Sequence, residues 1–511
     1  MSKFNAVKTA PAPDTVNFHG KPAYGREAKS ELAGILLTSF LENQFYRSGS
    51  QTQERLVELV GMVDPLFAAK AAIFARNTFG MRSVTHVVAG ELAQYASGAL
   101  WLRRFYSTVV MRPDDVTEIL SYYLTNRTEM RDSTKGKGKR PRALSKAMQR
   151  GLGDALCRFG PYQLGKYKAS DKGVSMVDAI NLLRPRKTDA KGALLAGTLA
   201  APDTWEVNLT KAGQSENKAE AKAQVWSDLL INGKLGALAA LRNVRNVVEQ
   251  APDAVPMLCE LLTDEKVIRK SRIFPFQYLT AWDALESDAP RAVRIALSQA
   301  FDTALGNLPQ FEGKTLVAVD ASGSMRPGGW LTSRVPGTKS PLRTAAIFAA
   351  ALYKRNDADV LWFSGGHNYG FGRMTPETAY CGWVTLNPLA PVLDLAKQIE
   401  NESQNGNTDF RLIFSNLTKP YDRIIILTDE QAWVGDYTRG TPAMDGLKDY
   451  RRRLSCDPWA YSIDLTGYGT SQFLSTKITQ LYGLSERLFD FMEHAERGTD
   501  AIVDAIERVE F

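Results

Sequence analysis

KTLVAVDASGSM, residues 314–325, decides the fold. From Thr315 to Val319 the side chains are apolar or β-branched, with Gly313-Lys314 before the run and Gly323 after it. A run apolar on both faces suits a central strand of a parallel sheet covered by helices on each side. The run ends on Asp320-Ala321-Ser322-Gly323-Ser324. One carboxylate and two hydroxyls at alternate positions can point into one loop and share a hard cation such as Mg²⁺. The carboxyl end of a strand is where open α/β sheets bind their ligands.

Downstream, helix and strand alternate. A Gly/Pro-rich loop (326–340) leads to a helix over 342–355, a strand at 360–363, a helix at 389–400 and an apolar strand at 423–427. That strand ends in Thr428-Asp429-Glu430; a helix at 447–454, a strand at 460–463 and an amphipathic tail helix at 486–509 follow. This order predicts a doubly wound parallel sheet. Upstream, residues 306–313 read as the boundary, and almost no alternating strand pattern precedes them. Leu32, Ile35, Leu36, Phe40 and Leu41 share one helical face, and Asp64-Pro65 and Pro113-Asp114-Asp115 are helix starts. Further helices are predicted at 144–159, 176–183, 219–231, 236–248, 254–262 and 291–305. So long a run of amphipathic helices is too much for a simple bundle. It predicts stacked, divergent HEAT-like pairs. The expected organisation is a multidomain α and α/β chain: a flexible arm (1–24), an all-helical region (25–308) and an α/β region (309–511).

A chain of 511 residues that is 44% hydrophobic has ample material for more than one core. Cys157, Cys259, Cys381 and Cys456 form no CxxC, and the four histidines are equally scattered. That pattern excludes a zinc site and a disulfide framework and fits a reducing cytoplasm. The first twenty residues have no apolar core and do not read as a signal peptide, and no long apolar stretch reads as a membrane span. The charge is uneven. Residues 1–310 hold 42 Lys and Arg against 31 Asp and Glu, whereas residues 311–511 hold 21 against 25. The window 131–187 alone holds 15 basic and 4 acidic residues. Its excess equals that of the whole N-terminal part, which points to a polyanionic partner.

Three pieces can converge on one cation: Asp320, Ser322 and Ser324; Thr408 within Asn405-Gly406-Asn407-Thr408-Asp409; and Asp429 at the end of the Ile-Ile-Ile-Leu strand. Two carboxylates and three hydroxyls leave positions open for water or a partner's carboxylate. In order and placement this set resembles the metal-ion-dependent adhesion site (MIDAS) of von Willebrand factor A domains, which implies binding and not catalysis. The alternative is that Asp320 and the serines cap a following helix. Two other motifs fail. Gly313-Lys314-Thr315 resembles the end of a phosphate loop, but residue 308 is Leu where Gly is needed, and the trio precedes a strand. The IIILTDE stretch resembles a nucleotide-hydrolase acid pair without the phosphate loop such an enzyme needs. His19, His86, His367 and His494 have no evident catalytic partners and read as surface or core histidines.

Within the basic window, Lys135, Lys137, Lys139, Arg140 and Arg142 form a dense run, and Lys146 and Arg150 share a helix face. Lys166, Tyr167 and Lys168 place an aromatic between cations, with Tyr162 one turn earlier. Cations position a phosphate backbone, and tyrosines can stack on unpaired bases. A charge run alone is more often a solvated face.

The stretches 144–150 (LSKAMQR), 162–168 (YQLGKYK), 174–185 (VSMVDAINLLRP) and 270–276 (KSRIFPF), joined to DASGSM and LTDE, resemble a Ro protein of the TROVE family. The likeness is to the bacterial type and covers nearly the full length. It implies a ring of helical repeats closed by an A domain. It also implies an outer basic surface for small non-coding Y RNAs and a central hole for single-stranded ends of misfolded RNA. Work with exoribonucleases in RNA decay and quality control is implied for bacterial relatives. On this resemblance the basic residues above serve RNA, and Arg184, though a departure from the family pattern, can still reach a phosphate. The sequence departs from the family pattern at Val174 and Met176, where Trp and His are common, at Arg184, where His is common, and at Asn407, where Gly is usual. The expectation is a monomeric, non-enzymatic, cytoplasmic RNA-binding scaffold with a Mg²⁺-type site free for a partner's carboxylate. The alternatives are a metal-dependent protein-interaction adaptor with incidental RNA binding and, more weakly, a metal-using hydrolase.

Overall fold

The computed structural model describes residues 15–16, 22–23, 28–39, 49–132, 144–167, 173–200, 202–286, 288–326, 340–365, 380–430, 441–465, 473, 477–482, 487–496 and 501–511. Local chemistry sets the helix starts. Asp64 caps Pro65–Asn77 by accepting from the Phe67 N–H at 3.1 Å, with Pro65 in the first turn. Ser145 caps Lys146–Leu156, and Ser175 with Asp178 forms a reciprocal capping box on Met176–Leu183. Of the expected N-terminal arm, Thr15–Val16 and Pro22–Ala23 form a two-residue antiparallel ladder. No helix among the described residues is long and apolar enough to cross a membrane.

By compactness the chain forms two units. The first takes in Ala28–Glu42, Gly49–Leu229 and Ile502–Phe511. It is helical, and its core holds a buried ionic hub. The Asp115 carboxylate accepts from Arg76 at 2.8 Å and from Arg82 at 3.2 Å, and lies 3.0 Å from His86 Nε2. The backbone N–H groups of Met111 and Arg112 add bonds of 3.0 and 2.9 Å. A carboxylate so fully bonded can be buried, where an isolated one cannot. His86 is thus a core histidine with a carboxylate partner that sequence alone did not reveal. The last ten residues pack within this unit: Glu507 pairs with Lys29 at 2.8 Å, and the Phe511 ring meets Trp101 and Phe105 edge-on.

The second unit is built on Leu230–Ala501 and joins helices to an α/β layer. The secondary structure changes from helix to alternating strand and helix between Asn307 and Thr315, but the packing does not divide there. Phe276 stacks on Phe348 at 4.2 Å, and Asp302 binds both Lys354 and the Val392 N–H. The strands are β1 (Thr315–Asp320), β2 (Asp359–Phe363), β3 (Cys381–Val384), β4 (Arg423–Thr428), β5 (Trp459–Asp464) and β6 (Ile478–Tyr482). Their order is β3-β2-β1-β4-β5-β6. Every residue of β1 and of β4 is buried, as a both-faces-apolar run requires. Leu316 and Ala318 pack in a cluster with Phe410, Phe414, Met444 and Tyr450, and the helix Pro341–Asn356 also packs on β1. Gly313 enters β1 at φ 82°, where a side chain would run into the Asp422 carboxylate.

Four elements differ from those expected. The sheet is mixed, because β3 runs antiparallel on β2. It is a short edge strand with Trp383 half exposed, the kind of position an antiparallel strand tolerates. β6, parallel to β5, is a second short edge strand without a distinct apolar pattern. The helix expected over 236–248 is two, Ala237–Arg242 and Val244–Gln250. The two meet at Asn243, where the backbone leaves the helical region (φ −111°, ψ 12°) and both the N–H and the side-chain amide donate to the Ala239 carbonyl. The tail helix is also two, Arg487–Ala495 and Ala501–Glu507.

Candidate metal centre and basic surface

β1 and β4 are adjacent and parallel, with Val319 opposite Leu427. Their carboxyl ends therefore bring Asp320 beside Thr428 and Asp429. The Thr428 hydroxyl donates to Asp320 Oδ2 at 2.7 Å, and the Ser322 N–H donates to Oδ1 at 2.9 Å. The Ser322 and Ser324 hydroxyls are 3.2 Å apart. Asp320 and Asp429 are fully buried, and Ser322 and Thr408 nearly so. Burial first, and the neighbouring charge of Asp429 second, push the Asp320 carboxyl well above the usual carboxylate range, against the pull of the Thr428 and Ser322 hydrogen bonds. The residues after Asp320 do not make a helix cap: Ser322 makes no side-chain capping bond to the turn Gly323–Met325.

The loop bearing Thr408 is fastened by main-chain bonds. Gly323 N–H donates to the Gly406 carbonyl at 3.0 Å, Asn407 N–H to the Gly365 carbonyl at 3.0 Å, and Ser364 Oγ to the Gln404 carbonyl at 3.1 Å. A Cβ on Gly406 would sit 1.9 Å from the Gly365 carbonyl oxygen, so glycine is required there. Asn407 joins the bridge to Gly365 through its backbone, which is why a residue other than Gly is accommodated. The five predicted residues thus come from three loops that are directly bonded to one another or to their neighbours. Among the described residues no group of three or more His, Cys, Asp or Glu side chains gathers in metal-binding fashion. The donor set is two buried carboxylates plus hydroxyls, all oxygen, and it fits a hard divalent cation that would offset their charge.

Of the predicted basic residues, Lys135, Lys137, Lys139, Arg140, Arg142 and Lys168 lie outside the described residues. Lys146 and Arg150 are exposed on one helix whose other side buries Met148, Leu152 and Leu156. Arg184 closes Met176–Leu183 in a left-handed conformation, φ 49°, with its N–H on the Ile180 carbonyl at 2.9 Å. The two helices meet where Gln149 Nε2 donates to the Leu182 carbonyl at 3.1 Å. The structure therefore brings Arg150 and Arg184 together, 34 positions apart in sequence, around an open cavity of about 270 Å³ that Arg186, Asp154 and Cys157 also line. Lys191 is buried behind it and bonds the Arg186 carbonyl at 2.5 Å and Cys157 Sγ at 3.3 Å. Arg186 and Lys191 were not singled out by sequence; the Arg-Pro-Arg-Lys cluster of 184–187 was the available signal. Tyr162 and Lys166 are exposed on Pro161–Lys166 but do not line this cavity. Tyr167 is half-buried, and the Arg112 guanidinium lies over its ring at 4.7 Å, so one stacking face is already in use.

Comparison with known proteins bears on the helical region and on the fold. The TROVE domain model matches residues 38–197 and 193–303, more than half of the chain. The chain is 26% identical over 347 residues to an RNA-binding protein RO60 of Deinococcus radiodurans, covering 59% of this chain and 61% of that protein. It is 26% identical over 245 residues to an RNA-binding protein RO60 of Caenorhabditis elegans, covering 44% and 34% respectively. It is 23% identical over 349 residues to telomerase protein component 1 of Mus musculus, spanning 51% of this chain but only 13% of that protein. The chain therefore spans less than two thirds of each of these relatives. The crystal structure of the Deinococcus radiodurans RO (RSR) protein superposes with a TM-score of 0.62 at 18% identity, covering 94% of this chain and 100% of that one. That is a likeness of fold: a mostly helical N-terminal region followed by a mixed, mostly parallel sheet. With the TROVE model running through the helical region and the overall fold shared with a Ro protein, the chain belongs to the TROVE domain family.

Proposed function

We propose that this protein is a non-enzymatic RNA-binding scaffold. It holds small structured non-coding RNA of the Y type and the single-stranded ends of misfolded RNA, and it acts in cytoplasmic RNA quality control or decay beside an exoribonuclease. The observation that carries this is the convergence of Arg150, Arg184 and Arg186 on one open cavity within the family-matched region. Arginine forks suit phosphate oxygens, and the surrounding window is strongly basic. RNA-binding relatives in two organisms support it. The test is binding of a structured small RNA and of a single-stranded RNA across a salt series. Affinity falls steeply with salt, and the slope of log K against log salt drops by about one for each phosphate contact removed when Arg150, Arg184 and Arg186 become Ala. Undetectable binding at low salt overturns the proposal.

The buried carboxylate pair favours a second activity in the same chain. Asp320, Ser322, Ser324, Thr408 and Asp429 would hold Mg²⁺ or a similar cation, whose open coordination positions accept a carboxylate from a protein partner. Asp320→Ala then abolishes divalent-cation-dependent protein capture and leaves RNA affinity intact. If Asp320→Ala removes every partner and RNA binding proves negligible, the protein is an adaptor.

A further inference from the structure

We infer that Arg326 positions the cation site by tying two of its loops together; this rests on the cation reading above. Arg326 directly follows Asp-Ala-Ser-Gly-Ser-Met, and its half-buried guanidinium turns back along the chain. Its Nε donates to the Ala321 carbonyl at 3.2 Å, between Asp320 and Ser322. Its Nη2 donates to the Ser403 carbonyl at 2.6 Å and to Ser403 Oγ at 2.9 Å. Ser403 ends the helix Val392–Glu402, is buried, and opens the stretch that delivers Thr408.

The arrangement divides the work along that stretch. The main-chain bonds at Gly406 and Asn407 fix its middle, and Arg326 fixes its start to the first metal loop. The Glu400 carboxylate, paired with Arg343 at 3.5 Å, also acts on the guanidinium's charge. What Arg326 supplies is the shape of a planar fork whose N–H groups reach acceptors on two loops. A lysine keeps the charge but is a point donor and cannot span both. Residues that orient a metal's ligands typically change its affinity by about 10- to 100-fold when removed. Arg326 is thus a positioning residue, and the signature of that role is lost cation affinity without lost folding.

The experiment titrates Mn²⁺ alone into the full chain by calorimetry and by the loss of free-ion EPR signal. The proteins are wild type, Arg326→Lys, Arg326→Ala and Asp320→Ala, and each one's metal-free thermal midpoint is measured. The expected result is one Mn²⁺ on wild type and none on Asp320→Ala. Both Arg326 variants bind about 10- to 100-fold more weakly, with the midpoint of Arg326→Lys close to wild type. If both Arg326 variants bind within about twofold of wild type, the inference is overturned and the cation reading stands. If affinity falls only in step with the metal-free midpoint, the role is general stability, and the inference is again overturned. A wild type that binds no Mn²⁺ overturns the cation reading and the inference with it. Should Arg326→Ala not fold, Arg326→Lys decides.

Discussion

The Thr428 hydroxyl donates to the Asp320 carboxylate at 2.7 Å across the seam between β4 and β1, with both residues fully buried. That bond belongs to the fold and to the site at once. Parallel register sets the two strand ends level, and the side chain of the trailing strand then fixes the orientation of the leading carboxylate. The same hydroxyl accepts from the Glu430 N–H at 3.1 Å, so it also shapes the turn that carries Asp429.

Thr428→Val keeps the β-branched shape and removes both bonds. Leaving a buried hydrogen-bonding group unsatisfied costs about 1–3 kcal/mol. Denaturant unfolding should show a loss in that range. Mn²⁺ affinity should fall too, because Asp320 is no longer held in one orientation. An unchanged unfolding midpoint would mean that the carboxylate finds another donor.

Gly406→Ala should be more disruptive than its size suggests. The added methyl would meet the Gly365 carbonyl, which is backbone and has no side-chain freedom to yield. Overpacking of this kind costs about 1–3 kcal/mol. The loop must shift, and Thr408 shifts with it. Comparing chemical shifts of the Thr408 and Gly365 amides in wild type and variant would show whether the bridge opens.

Legibility followed the range of the interactions. The strand-to-turn passage at Asp320–Ser324, the Asp64-Pro65 cap and the central strands β1 and β4 were readable because each is written in a few consecutive residues. Their chemistry is local, or their burial is complete. Edge strands β3 and β6 were not, since a half-exposed short strand needs neither alternation nor a long apolar run. The break at Asn243 is a local change of backbone dihedral with no Gly or Pro to announce it. Arg326 and the meeting of Arg150 with Arg184 depend on contacts between distant segments. No local pattern encodes those.

Asp115 gives the helical unit an acid-sensitive fastening. Burial alone would raise its carboxyl, but the His86 hydrogen bond and the Arg76 charge and hydrogen bond outweigh it, and the group is held far below the usual range. A depressed carboxylate contributes stability that is fully present above its unfolded value of about 3.9 and is lost as pH falls toward the folded value. The unfolding free energy of wild type should therefore decline below about pH 4 more steeply than that of Asp115→Asn. At neutral pH Asp115→Ala should cost about 3–5 kcal/mol, because it strands the buried Arg76 guanidinium. Equal acid slopes in wild type and Asp115→Asn would assign the acid sensitivity to other groups.

Arg184 sets stability against binding. It occupies the left-handed region at the end of its helix, where a non-glycine residue costs roughly 1–2 kcal/mol relative to the right-handed form and glycine is the usual occupant. A side chain kept at such a position is explained if it serves the cavity it lines with Arg150 and Arg186. Arg184→Gly should then raise the unfolding free energy by roughly 1 kcal/mol. The same substitution should weaken RNA binding and lower its salt slope by about one. Opposite signs in one variant separate a functional arginine from a tolerated one. Were Arg184→Gly stabilising with RNA affinity unchanged, the strain would have no counterpart in binding, and the cavity would be solvent-filled surface.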